Sequence, residues 1–134
     1  GAAFADFDND GDIDVAVMNM GEPPSLLRNG LTGPSRWIKV ELEGVRSNRS
    51  AIGAVVTIET GGETGGETGG ARQTLPQLGQ SSFLSQNDRR LHFGLGPAGR
   101  VDLVRVQWPS GQTEIFDGGA AGTTLSLQEG SGRK

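Results

Sequence analysis

Cysteine is absent from this 134-residue chain, which excludes disulfides, thiol nucleophiles and cysteine-ligated zinc. Tyrosine is absent too, and aromatic residues make up 5% of the chain, too few for an aromatic-rich ligand groove. Histidine occurs once, at His92, and no G-x-S-x-G elbow, P-loop or H-E-x-x-H motif accompanies it. A lone histidine of this kind is expected to be structural or exposed. No apolar run reaches the roughly 18 residues that a membrane-spanning helix needs. Lysine is scarce, only Lys39 and Lys134, and the arginines are scattered, so nucleic acid is a poor partner. Large apolar residues are also thin, with Leu, Ile, Val and Phe at roughly 23% of the chain, which predicts a modest core.

Glycine, by contrast, is plentiful at 23 residues, and negative charge is concentrated in one place. The formal net charge is −4, yet Asp6, Asp8, Asp10, Asp12 and Asp14 stand together with no base among the first fourteen residues. The rest of the chain is close to neutral. Such a distribution points to a cation site rather than a generally acidic surface.

The acidic run reads "DFDNDGDID". Counting from Asp6, carboxylates fall at loop positions 1, 3, 5 and 9, with Gly11 at position 6. Calcium takes six to eight oxygen ligands, and alternate residues of a tight loop turn their side chains toward one centre. Glycine allows the sharp turn after the third ligand. The expected set is therefore Asp6, Asp8, Asp10 and Asp14 through side chains and Asp12 through its carbonyl, around Ca²⁺. Without a counter-cation, carboxylates packed this closely repel one another by several kcal/mol. An EF-hand requires a bidentate Glu at position 12, where this chain has Val17, and the flank "VAVM" is a strand-like apolar run. The loop is thus predicted between strands.

The rest of the chain alternates with the period of a half-buried strand. Ile38, Val40 and Leu42 do so against Lys39, Glu41 and Glu43; Ala54, Val56 and Ile58 come next, then Leu91, Phe93 and Leu95. Val104, Val106 and Trp108 lead through the turn "PSG" into "QTEIF", and Leu125 and Leu127 close the series. No segment has a helical period. About six strands with Gly-rich turns predict an all-β fold, a small antiparallel β-sandwich or barrel. Trp37 and Trp108 are expected to pack. "ETGGETGGETGG", Glu59 to Gly70, is predicted to be an expanded hairpin loop, tolerant of shortening. "GLGPAG", Gly94 to Gly99, matches a dinucleotide fingerprint, but a strand comes next where a helix is required, so a hairpin turn is expected.

The segment "GAAFADFDNDGDIDVAVMN" strongly resembles an FG-GAP (VCBS-type) repeat, the blade unit of integrin-like β-propellers, whose inter-strand loop binds calcium. The remainder of the chain resembles the ASPIC/UnbV domain found after such propellers in the cartilage acidic protein family and its bacterial relatives. The residues that carry this are "WIKVELEG" from Trp37, "SNRSAIGAVV" at 47–56, "SQ" at 85–86, "LHFGLG" at 91–96 and "VRVQWPSG" at 104–111. The resemblance implies a partial propeller blade at 1–34 and an ASPIC/UnbV-like β domain at 35–129; beyond both, residues 130–134 are expected to be a disordered tail. The preceding propeller blades are absent from this chain. Starting at Gly1 without Met, it reads as a fragment or a processed chain, with any signal peptide outside it.

The function expected is that of a non-enzymatic, calcium-binding β module of a secreted or envelope protein, active in adhesion, matrix contact or assembly with a protein or glycan ligand. An extracellular site suits a loop that needs high calcium. The alternative from the enzyme class, a polysaccharide-acting hydrolase or accessory domain, requires Glu41, Glu43, Asp88 or Asp102 to converge in a cleft. A nucleic-acid binder requires Arg46, Arg49, Arg89, Arg90 and Arg105 on one face. Segment 1–34, too short to bury a face of its own, is expected to dock weakly or stay mobile, hinged at 30–35.

Overall fold

The computed structural model describes residues 1–30, 33, 36–61 and 70–134. All regular elements are strands, as the alternation predicts: β1 (Ala2–Ala5), β2 (Asp14–Val17), β3 (Ser25–Leu27), β4 (Arg36–Glu43), β5 (Val55–Thr60), β6 (Ala71–Pro76), β7 (Leu91–Gly96), β8 (Leu103–Gln107), β9 (Thr113–Asp117) and β10 (Thr123–Gln128). Among the described residues there is no helix.

The first three strands form an antiparallel meander in the order β1-β2-β3, with Ala5 opposite Asp14 and Val15 opposite Leu27. The remaining seven make two sheets, β10-β4-β7 and β6-β5-β8-β9. Ile38, Val40 and Leu42 of β4 and Phe93 of β7 join Val56 and Ile58 of β5 and Val104 and Val106 of β8 in one buried core. Trp108 closes that core at the β8–β9 turn and is buried. The two sheets thus share an interior, as in a β-sandwich.

Four local features differ from the sequence expectation. First, β10 runs parallel to β4, with Leu125 opposite Val40 and Leu127 opposite Leu42, so the sandwich is not wholly antiparallel. The alternation of Leu125 and Leu127 places them on the core face but says nothing of strand direction. Second, residues 97–102 are not a hairpin: β7 belongs to one sheet and β8 to the other, so this stretch crosses between layers. Third, Glu59 and Thr60 belong to β5, and Thr60 pairs with Ala71 of β6. The repeat therefore joins two antiparallel neighbours, while 62–69 lie outside the described residues, as does most of the predicted hinge. Fourth, residues 130–134, expected to be a disordered tail, are hydrogen-bonded to the sandwich. Ile115 and Arg133 exchange backbone hydrogen bonds, and the buried Glu114 carboxylate accepts the amides of Gly130 and Gly132.

Candidate metal centre

The pairing of β1 with β2 places Asp6 just after one strand and Asp14 at the start of the next, at the mouth of one loop. Asn9 and Gly11 reverse the chain between them with φ values of 60° and 102°. Gly11 is required twice over. Its φ suits a residue without a side chain, and a Cβ there would lie 1.9 Å from the Trp37 indole nitrogen.

Carboxylates accept the amides of Phe7, Gly11 and Asp12 within the loop. Asp6 Oδ2 accepts the Gly11 amide at 2.9 Å, and Asp14 Oδ2 accepts that of Phe7 at 2.9 Å. Asp14 Oδ1 accepts the Asn29 amide at 2.8 Å, which ties the chain beyond β3 to the loop. Asp10 Oδ1 accepts the Asp12 amide at 2.9 Å. Of the five aspartates expected to act together, Asp6, Asp8 and Asp14 each bring one oxygen to within 4.8 Å of the others. Asp10 and Asp12 are not part of that cluster. Asp6 and Asp14 are buried and Asp8 is exposed.

Two basic side chains that the loop spacing does not reveal lie against this cluster. Arg28, just past β3, pairs with Asp8 through Nη2 and stands 3.8 Å from Asp10. Lys39 of β4 reaches Asp6 Oδ2 at 2.7 Å and Asn9 Oδ1 at 3.0 Å. The strand period assigns Lys39 to the solvent face. Instead it is fully buried, because loop 6–14 covers that face of the β10-β4-β7 sheet. Part of the repulsion among the aspartates is therefore answered by the protein's own cations. Burial alone would raise the Asp6 carboxyl; the Lys39 ammonium and the Gly11 amide outweigh it and hold it below the usual range.

One atom has no such answer. Asp6 Oδ1 is buried and has no hydrogen-bond partner. An unmatched carboxylate oxygen is costly, and a cation is the partner its chemistry fits best. An orphaned buried oxygen beside two further carboxylates suits an oxygen-preferring divalent ion.

The surroundings extend the contact between loop and sandwich. Arg90 donates to Asn9 Oδ1 at 2.8 Å and pairs with Asp88 through Nε at 2.7 Å. Phe4 donates its amide to Asn87 Oδ1, and Asp88 donates its amide to the Phe4 carbonyl. His92 stacks on Trp37 with ring centroids 5.9 Å apart, and the Lys39 ammonium lies 4.9 Å from the Trp37 ring centroid. Burial, with the Lys39 charge, holds the His92 imidazole below its ordinary pKa. A cleft of about 290 Å³ between Asp6, Lys39, Asp88, Arg90 and His92 marks the seam. Segment 1–30 is thus tied to the sandwich by hydrogen bonds and a buried ion pair.

Glu41 and Glu43 are exposed and line a separate cavity of about 440 Å³ with Arg49, Arg89 and Gln128. Asp88 is paired with Arg90, and Asp102 lies 3.3 Å from Arg100, so these four acids are not gathered in one cleft. Of the five arginines that a nucleic-acid face would need, Arg49 and Arg89 line that cavity, whereas Arg90 faces the acidic loop.

A second anionic centre lies outside the sequence expectation. Glu129 Oε2 accepts the amides of Val45, Arg46 and Ser47 at 2.7–2.8 Å, and Oε1 accepts the hydroxyls of Ser47 and Ser110. Burial alone would raise its pKa; the Ser110 and Ser47 hydroxyls and the 45–47 amides outweigh it and bring it down to about 2. This latch joins the end of β10 to the loop after β4 and to the β8–β9 turn. No pattern in the sequence marks it.

No curated protein matches the chain. The family model described as ASPIC and UnbV matches residues 44–134, from the loop after β4 through the ordered C-terminal segment. That span covers both anchors of the Glu129 latch and six of the seven sandwich strands, and on it the chain belongs to the ASPIC and UnbV family.

Proposed function

We propose that this chain is a non-catalytic β module of a larger secreted or envelope protein, with a divalent cation, calcium by its ligand chemistry, held in the loop 6–14. Asp6, Asp8 and Asp14 supply the core of the site. Asp10 and the Asp12 carbonyl, which stand outside that cluster, are the further oxygens that the loop spacing offers. The observation that carries this reading is the cluster of Asp6, Asp8 and Asp14, each with one carboxylate oxygen within 4.8 Å of the others, together with the buried Asp6 Oδ1 that has no hydrogen-bond partner. The ion's work is structural: it offsets the remaining charge and fixes the mouth of the β1–β2 hairpin.

The resemblance of the first segment to an FG-GAP repeat supports reading the β1-β2-β3 meander as part of a propeller blade. The sandwich then serves adhesion, matrix contact or assembly, with a protein or glycan as partner. A structural calcium loop of this kind is best served outside the cytosol, where calcium is abundant.

Calorimetric titration of CaCl₂ into EDTA-stripped protein tests the site. One binding event is expected, and Asp8→Ala should weaken it at least tenfold without unfolding the chain, since Asp8 is exposed. Flat heats in the unmodified chain at millimolar calcium would refute the assignment.

A further inference from the structure

Asp6 is a divided ligand. Its Oδ2 is taken by the Gly11 amide and the Lys39 ammonium, while Oδ1 has no hydrogen-bond partner. Lys39 comes from the sandwich, on the middle strand of the β10-β4-β7 sheet. The same sheet presents Trp37, whose indole closes over Gly11, and leads back to Arg90, which shares Asn9 Oδ1 with Lys39. Three residues of one domain thus grip a loop whose chemistry is that of a cation site.

We infer that Lys39 is the loop's built-in second cation, coupling occupancy of the divalent site to docking of segment 1–30 on the sandwich. This rests on the reading that loop 6–14 binds a divalent ion. Lys39 holds one oxygen of Asp6 and so orients the other toward the cluster. The ion in turn fixes Asp6, and through it the ammonium and β4. Coupling of this kind is reciprocal: whatever the ion adds to docking, docking adds to ion affinity.

Lys39→Met tests both consequences, because methionine keeps the apolar stem and loses the charge. In the unmodified chain, Ca²⁺ should slow amide exchange in loop 6–14 and also at Val40 and Phe93. In Lys39→Met the protection should stop at the loop, and Ca²⁺ should bind about tenfold more weakly, since docking no longer adds to ion affinity. Equal affinity and equal spread of protection in the two proteins would overturn the inference while leaving the cation site standing. Tighter binding in Lys39→Met would overturn it as well, by making Lys39 only a like charge that competes with the ion for Asp6. Absence of binding in the unmodified chain would remove the cation reading and the coupling together. If Lys39→Met does not fold, Lys39→Gln, which keeps a donor toward Asp6 and loses the charge, takes its place with the same expected outcomes; unchanged affinity and spread would overturn the inference.

Discussion

Lys39 and Asp6 form an ion pair that solvent does not reach: Nζ lies 2.7 Å from Oδ2, with side-chain exposures of 1% and 0%. One partner belongs to the sandwich and the other to the loop after β1. Burying two charges is costly, and removing either alone leaves the other uncompensated, at about 3–5 kcal/mol. The pair therefore specifies how the two parts meet. The sequence expectation of a weakly docked or mobile first segment has to be weighed against this contact and against the bonds from Phe4 to 87–88.

The loop's fit against Trp37 gives a second test of that seam. Gly11→Ala places a Cβ into the indole and forces an L residue to a φ of 102°. Such backbone strain costs about 1–3 kcal/mol. A lower melting temperature is expected, with emission from Trp37 shifted to the red while the buried Trp108 remains as an internal reference. Unchanged stability and emission would show that the loop does not pack on Trp37.

The Glu129 latch predicts a specific acid response. The carboxyl has a folded-state pKa of about 2, below its ordinary 4.5, so the unfolded chain binds the proton more readily. Its contribution is fully present above about pH 5 and is lost as pH falls toward 2. Glu129→Ala should abolish that part of the acid sensitivity and cost about 3 kcal/mol at neutral pH, since three amides lose their acceptor. Parallel pH–stability curves for the two proteins would contradict the latch.

Removal of residues 130–134 should destabilise the sandwich by about 1–3 kcal/mol, because the Glu114 carboxylate would lose the Gly130 and Gly132 amides. Urea unfolding of chains ending at Glu129 and at Lys134 makes the comparison. Equal midpoints would return residues 130–134 to the disordered tail expected from the sequence.

Most of the sandwich was legible because its strands alternate large apolar residues: Ile38, Val40 and Leu42 announce β4, and Val104 and Val106 announce β8. Strand β6 was not. "ARQTLP" holds one large apolar residue, Leu75, and lies at a sheet edge, held to β5 by backbone pairing that composition does not encode. The parallel placement of β10 depends on chain topology, which periodicity cannot express. "GSGRK" reads as a tail because its order comes from backbone amides meeting Glu114 and Ile115.

The candidate site shows the same division. The spacing of Asp6, Asp8 and Asp14 was visible as a local pattern, and these three do converge. Lys39, Arg28 and Arg90 were invisible as participants, since each reaches the loop from another element. A period of two sends Lys39 outward from the core; only the tertiary arrangement shows that its outward face is covered.

The central claim is that a divalent cation at Asp6, Asp8 and Asp14 stabilises the folded chain. Thermal unfolding in millimolar CaCl₂ and in EDTA, with the unmodified protein and Asp8→Ala, measures this most directly. Binding to the folded state alone adds about 2.7 kcal/mol at a hundredfold excess over Kd. The expected result is a melting temperature several degrees higher in calcium for the unmodified chain and a much smaller rise for Asp8→Ala. Identical melting temperatures in calcium and EDTA for the unmodified chain would contradict the account.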